Sequence, residues 1–147
     1  MKTDILQEAI ESFDAAVLRF PQDKRRIKLF GEWNLQDIIA HVSGWNIARI
    51  EEINRLIDGK EITFINDYDE FNRQSILTRR SYDWDYIYKE FLQTSHDLIN
   101  AYPKIPDNLL NKRIWSDKEF TPSKWIGIDT DHIKEHLVEI EKFVDKP

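Results

Sequence analysis

The 147-residue chain has no cysteine, one methionine, four glycines and five prolines. Without cysteine there is no disulfide, no thiolate ligand and no cysteine nucleophile. Glycine and proline fall mostly at breaks between patterned segments, which favours long uninterrupted helices over a many-turned β fold. No apolar run approaches the ~20 residues that span a bilayer. The N-terminus is amphipathic and acidic rather than a charged-then-apolar leader, so a cytoplasmic protein without a membrane partner is expected. Nor is there a basic block. Lys24, Arg25, Arg26 and Lys28 are the densest cationic run, in a stretch that reads as a loop, and the net charge is −6. A phosphate-backbone partner wants a basic face, which argues against nucleic-acid binding.

What the chain does have is apolar mass: 41% of residues, with five Trp, five Tyr and eight Phe. That is ample for one domain over residues 1–147 and argues against disorder. Asp4 to Leu18 repeats Ile5, Ala9, Ile10, Phe13 and Val17 at helical spacing, and Pro21 closes it. Asn34 suits an N-cap, with Asp37 three residues on, close to a capping box. The helix it opens carries Leu35, Ile38, Ile39, Val42, Trp45, Ile50, Ile53, Leu56 and Ile57, and Gly59 stops it. His41 falls at the edge of that stripe. Asp67 to Arg79 reads as a short polar helix. Asp83 to Tyr102 is patterned by Trp84, Ile87, Phe91, Leu92, Leu98 and Ile99 until Pro103, with a short turn expected near Leu109. Thr121 as N-cap and Pro122 at the first helical position open the last helix. Its inward stripe would be Trp125, Ile128, Asp129, His132, His136, Ile140 and Phe143. The expected architecture is all-α: an antiparallel four-helix bundle with an additional short helix in a connection.

Two of the four histidines, His132 and His136, are four apart in that last helix. Such a pair stacks on one face, about 6 Å apart along the axis, and two imidazoles can reach one ion. A third ligand is needed for firm binding, and His41 is the available candidate. Three His with open coordination positions is the layout of a catalytic metal site. Asp129, three residues before His132, is placed either to hydrogen-bond a ligating imidazole or to contribute an oxygen, the former being the easier reach. The competing reading makes each histidine a core-edge residue with an ordinary hydrogen bond. His96 reads as structural.

Sharper motifs fail. His132 to His136 formally matches the inverted zinc-protease pattern H-x-x-E-H, with nothing peptidase-like around it. No Glu stands three before any His, so a di-iron carboxylate bundle is excluded. Asp67, Asp69 and Glu70 lack the glycine and closing glutamate of a calcium loop. There is no G-x-S-x-G, and Ser43 and Ser95 would lie mid-helix.

Two stretches resemble a known family. Gly31 to Trp45 (GEWNLQDIIAHVSGW) is similar to the second-helix signature of the DinB-like superfamily of YfiT-type metal-dependent proteins. It resembles the ClbS/DfsB branch more closely, and Pro122 to His136 (PSKWIGIDTDHIKEH) resembles that branch's last helix. The resemblance implies a helical bundle, often a homodimer. Its second and fourth helices would carry a His triad for zinc, nickel or a similar ion, at His41, His132 and His136. Relatives include hydrolases and thiol-dependent transferases or isomerases that act on small molecules. For this chain it implies a metal-dependent enzyme acting on a small electrophilic or toxic molecule, Asp129 being a support or base. Trp45, Tyr68, Trp84 and Trp125 are candidates to line a pocket beside the ion, although a plain core position is the stronger expectation for any single one of them. The alternative is a metal-free bundle that binds or sequesters such a molecule.

Overall fold

The computed structural model describes residues 2–144. Five α-helices, α1 (Asp4–Arg19), α2 (Leu35–Ile57), α3 (Tyr68–Thr78), α4 (Trp84–Ala101) and α5 (Pro122–Val144), account for the regular structure, with short 3-10 turns at Gln22–Lys24, Tyr102–Lys104 and Asp107–Leu109. No strand occurs among the described residues. Four long helices form the bundle expected, and the short α3 lies in the connection between α2 and α4. No described helix is long and apolar enough to cross a membrane.

Local chemistry sets the boundaries. The Asn34 side chain accepts from the Asp37 backbone N–H at 2.9 Å, and the Asp37 carboxylate accepts from the Asn34 N–H at 3.2 Å. This reciprocal box satisfies donors that the first turn of a helix otherwise leaves unpaired. Gly59, with φ of 69°, ends α2 in a left-handed conformation that other residues adopt at a cost. At α5, Pro122 needs no N–H partner and the Thr121 hydroxyl accepts from the Lys124 N–H at 3.4 Å.

Helix α1 packs along α5, and α2 along α4, around a core that includes Leu6, Phe13, Leu35, Ile38, Ile39, Ile53, Phe91, Leu98 and Ile140. Gln36 donates to the Tyr82 carbonyl, and ten residues further along α2 the buried Asn46 reaches Thr94 and Ser95. Helices α2 and α4 therefore run the same way, because the excursion through α3 returns the chain to the end where α2 began. Against α5, α2 is antiparallel: His41 meets His132, and Arg49 further along meets Asp129. Part of the apolar patterning points outward. Ile57, Leu92 and Ile128 are 37%, 39% and 41% exposed, each on the flank of a stripe rather than its centre.

Helix α3 sits close on α2. A Cβ built on Gly44 would lie 2.3 Å from the Ser75 hydroxyl oxygen and 2.8 Å from its Cβ, so only glycine lets the two backbones approach. Gly127, in α5, would meet nothing within 4 Å. The same substitution should thus have opposite signs. Gly127→Ala is expected to stabilise by about 0.5–1 kcal/mol through helix propensity. Gly44→Ala should destabilise by about 1–3 kcal/mol as α3 is forced off. Urea denaturation midpoints of the two variants check this, and a stabilised Gly44→Ala would refute the close approach.

Candidate metal centre

His41 comes from the second turn of α2, and His132 and His136 from the middle of α5. His41 and His136 are buried and His132 is half-buried. The ring centroids are 4.7, 4.9 and 4.8 Å apart, nearly an equilateral triangle. His132 Nε2 lies 2.7 Å from His41 Nε2 and 3.1 Å from His136 Nε2. Three nitrogens at tetrahedral positions about a zinc ion with ordinary Zn–N bonds would stand roughly 3.3 Å apart. Small outward tilts of the rings bridge the difference.

The donor set fits a cation for a further reason. A neutral imidazole nitrogen carries either one lone pair or one hydrogen. His132 Nε2 can therefore make one good hydrogen bond, yet it has two nitrogens at hydrogen-bonding distance. One contact must be a mismatch unless a cation accepts all three lone pairs. At His136, Nδ1 lies 2.8 Å from Glu139 Oε2; a carboxylate only accepts, so Nδ1–H donates and Nε2 offers its lone pair inward. His41 Nδ1 is buried without a hydrogen-bond partner. Burial, reinforced by the neighbouring imidazoles, lowers His41 to about 2 and His132 to about 4. Both are neutral at pH 7, the form that ligates. Trp33, held by the pairing of its backbone with Phe30, packs its ring 4.8 Å from that of His41.

A second polar cluster follows along the same faces. Arg49, two turns beyond His41, donates from Nε and Nη2 to Asp129 at 3.1 and 3.2 Å and from Nη1 to Glu52 at 3.1 Å. The Tyr102 hydroxyl donates to the other side of this cluster, at Asp129 Oδ2. Burial works against the Arg49 charge, but Asp129 and its neighbours outweigh it and raise the pKa. The Tyr102 phenol is raised well above its ordinary value, by burial first and then by Asp129. Burial pushes the Glu52 carboxyl up to about 7, opposed by Arg49 and reinforced by Asp129.

Both clusters border one cavity of about 640 Å³. Trp45, Tyr68 and Trp125 line it, as do the three histidines and Asp129. Trp84 does not: it lines a separate crevice, with the Arg25 guanidinium 3.8 Å from its ring centroid. Asp129 is engaged by Arg49 and Tyr102, while the carboxylate at an imidazole of the triad is Glu139. Glu139 was legible as an i, i+3 partner of His136; Tyr102, the last residue of the patterned segment, carried no such signal. His96 is exposed and hydrogen-bonds Asn100, away from the triad.

No family model matches the sequence, and no curated protein does. Among solved structures, the crystal structure of the mycothiol-dependent maleylpyruvate isomerase matches with a TM-score of 0.81 over 94% of this chain, at 13% identity. This chain spans 58% of that protein's length. At that identity the likeness establishes the fold alone, a helical bundle like that of this isomerase.

Glu52 gives a pH test. Its folded pKa is raised above the usual carboxylate value, so the folded state holds a proton that the unfolded state has lost between about pH 4.5 and 7. The stability it contributes is full below that window and is lost as pH rises through it, at up to about 1.4 kcal/mol per pH unit. Relative to Glu52→Gln, the wild-type chain should lose stability from pH 5 to 8. Parallel stability curves for the two proteins would refute the raised carboxyl.

Proposed function

We propose that this chain is a metal-dependent enzyme acting on a small electrophilic molecule, by hydrolysis or thiol transfer. The observation that carries this reading is the convergence of three imidazole Nε2 atoms on a point that hydrogen bonding alone cannot satisfy. His41, His132 and His136 would hold the ion, zinc or nickel suiting an all-imidazole set. Bound there, the ion would supply Lewis acidity, polarising a substrate atom or making a water or thiol more acidic. Glu139 fixes the tautomer and direction of the His136 ring. Trp33 and Phe30 cover the triad and limit its access to water. Glu52 can hold or release a proton near neutral pH at the cavity wall, while Arg49 and Asp129 keep the wall rigid.

The chain has no cysteine, so a thiol reactant would come from solution. The name of the structurally similar mycothiol-dependent maleylpyruvate isomerase is consistent with that choice, and the resemblance to ClbS/DfsB sequences with hydrolysis. A metal-free sequestering role is the second reading, favoured by the volume and aromatic lining of the cavity, which need no ion.

Protein purified without a histidine tag and incubated with zinc or nickel should retain about one equivalent per chain after desalting. His136→Ala should abolish this while leaving the helical circular-dichroism signal intact. Glu139→Gln should keep the stoichiometry but weaken affinity about 10–100-fold. Less than about a tenth of an equivalent in the wild type would overturn the metal reading and leave sequestration.

A further inference from the structure

The cavity beside the triad is lined by eight aromatic side chains, five carboxylates and one permanently cationic side chain, Arg49. Arg49 is engaged by Asp129 and Glu52, and Glu139 by His136. That leaves Asp131 and Glu135, exposed and one turn apart on the flank of α5, neither in an ion pair among the described residues.

The aromatic faces here already attract cations from the chain itself. The Arg49 guanidinium lies 4.5 Å from the Trp125 ring centroid, and the Lys118 ammonium 4.4 Å from that of Phe64. Both rings line the cavity. An aromatic face is electrostatically negative and attracts a cation at little desolvation cost when the rest of the ligand is apolar. Unpaired carboxylates on the same rim add a field of the same sign. A neutral ligand gains contact alone, and an anion is repelled. A divalent ion on the triad reduces the negative excess without abolishing it, since four carboxylates besides the half-protonated Glu52 face one guanidinium. The volume of about 640 Å³ lies within the range of small-molecule sites.

We propose that this cavity binds organic cations: an amine or ammonium group on an apolar or aromatic body, with the charge at the Asp131 and Glu135 carboxylates and the body against the aromatic walls. This names the substrate class of the cavity in the enzyme reading above; it rests on that reading for the chemistry at the triad and not for binding.

Three probes of nearly one shape and three charges test it: choline, its neutral tert-butyl analogue neohexanol, and the anion tert-butylacetate. Calorimetric titration at low ionic strength, with and without zinc, is expected to show choline binding about tenfold tighter than neohexanol, and tert-butylacetate weakest. The double variant Asp131→Asn, Glu135→Gln changes only exposed positions. It should bring choline close to neohexanol and leave neohexanol unchanged. Tyr68→Ala, at a half-exposed aromatic of the wall, should weaken both. Equal affinity for choline and neohexanol, no choline binding, or choline affinity unchanged in the double variant would overturn the proposal. Metal content measured on the same samples separates the two readings. Choline preference without metal overturns only the enzyme, and one equivalent of metal without choline preference overturns only the cation site.

Discussion

Arg49 and Asp129 fix the spacing of α2 and α5 across a gap that neither helix fills with apolar side chains. These two helices touch sparsely, each packing mainly on another partner, and the cavity opens between them. A guanidinium that donates from two nitrogens to one carboxylate, at 3.1 and 3.2 Å, resists sliding as well as separation. Tyr102, in the turn that ends α4, donates to the same carboxylate and ties a third helix to the crossing. Buried ion pairs contribute little net stability, because desolvation offsets most of the attraction. What this one supplies is geometry: it holds open a space that close packing would otherwise remove. The triad lies within that frame, with His41 two turns from Arg49 on α2 and His132 one turn from Asp129 on α5.

The division of the carboxylates follows from this frame. Asp129 has its acceptor capacity taken by three donor groups from Arg49 and Tyr102, and Glu139 meets His136 on its own helix. The charge at one end of the cavity is thereby neutralised by Arg49. At the other end His41 and His132 are neutral at pH 7, both held well below the ordinary histidine value by burial. A cluster of neutral nitrogens facing one another is the arrangement that a divalent ion relieves and protons do not, because the first proton raises the cost of the second.

Much of this was legible in the sequence where the signal is local. The reciprocal cap of Asn34 and Asp37, the Thr121–Pro122 start and the i, i+4 pair of His132 and His136 each depend on a few neighbouring residues. His41 is 91 residues from its partner, and only the resemblance of the Gly31 to Trp45 stretch to a known family matched it to them. Non-local features escaped. Trp84 has the spacing of its helix stripe but packs against Arg25, in a separate crevice. Arg49 looks like one more cation on α2 until α5 supplies Asp129. The common direction of α2 and α4 is likewise invisible, because it depends on how the long connection returns.

That connection builds the outer wall. Residues of α3 reach the cavity through Tyr68 and Asn72, whose carboxamide accepts from the Trp45 indole at 2.7 Å. The segment before α3 is clamped where the Trp115 indole donates to the Ile62 carbonyl at 2.7 Å, bringing Phe64 against Trp115 and Phe120. These contacts join two connections rather than two core helices, so their residues can change without disturbing the crossing of α2 and α5. The helices thus supply three imidazoles and a half-buried ion pair to the cavity. The connections and the α5 flank supply the rest of its lining, aromatic faces and the exposed carboxylates of Asp131 and Glu135.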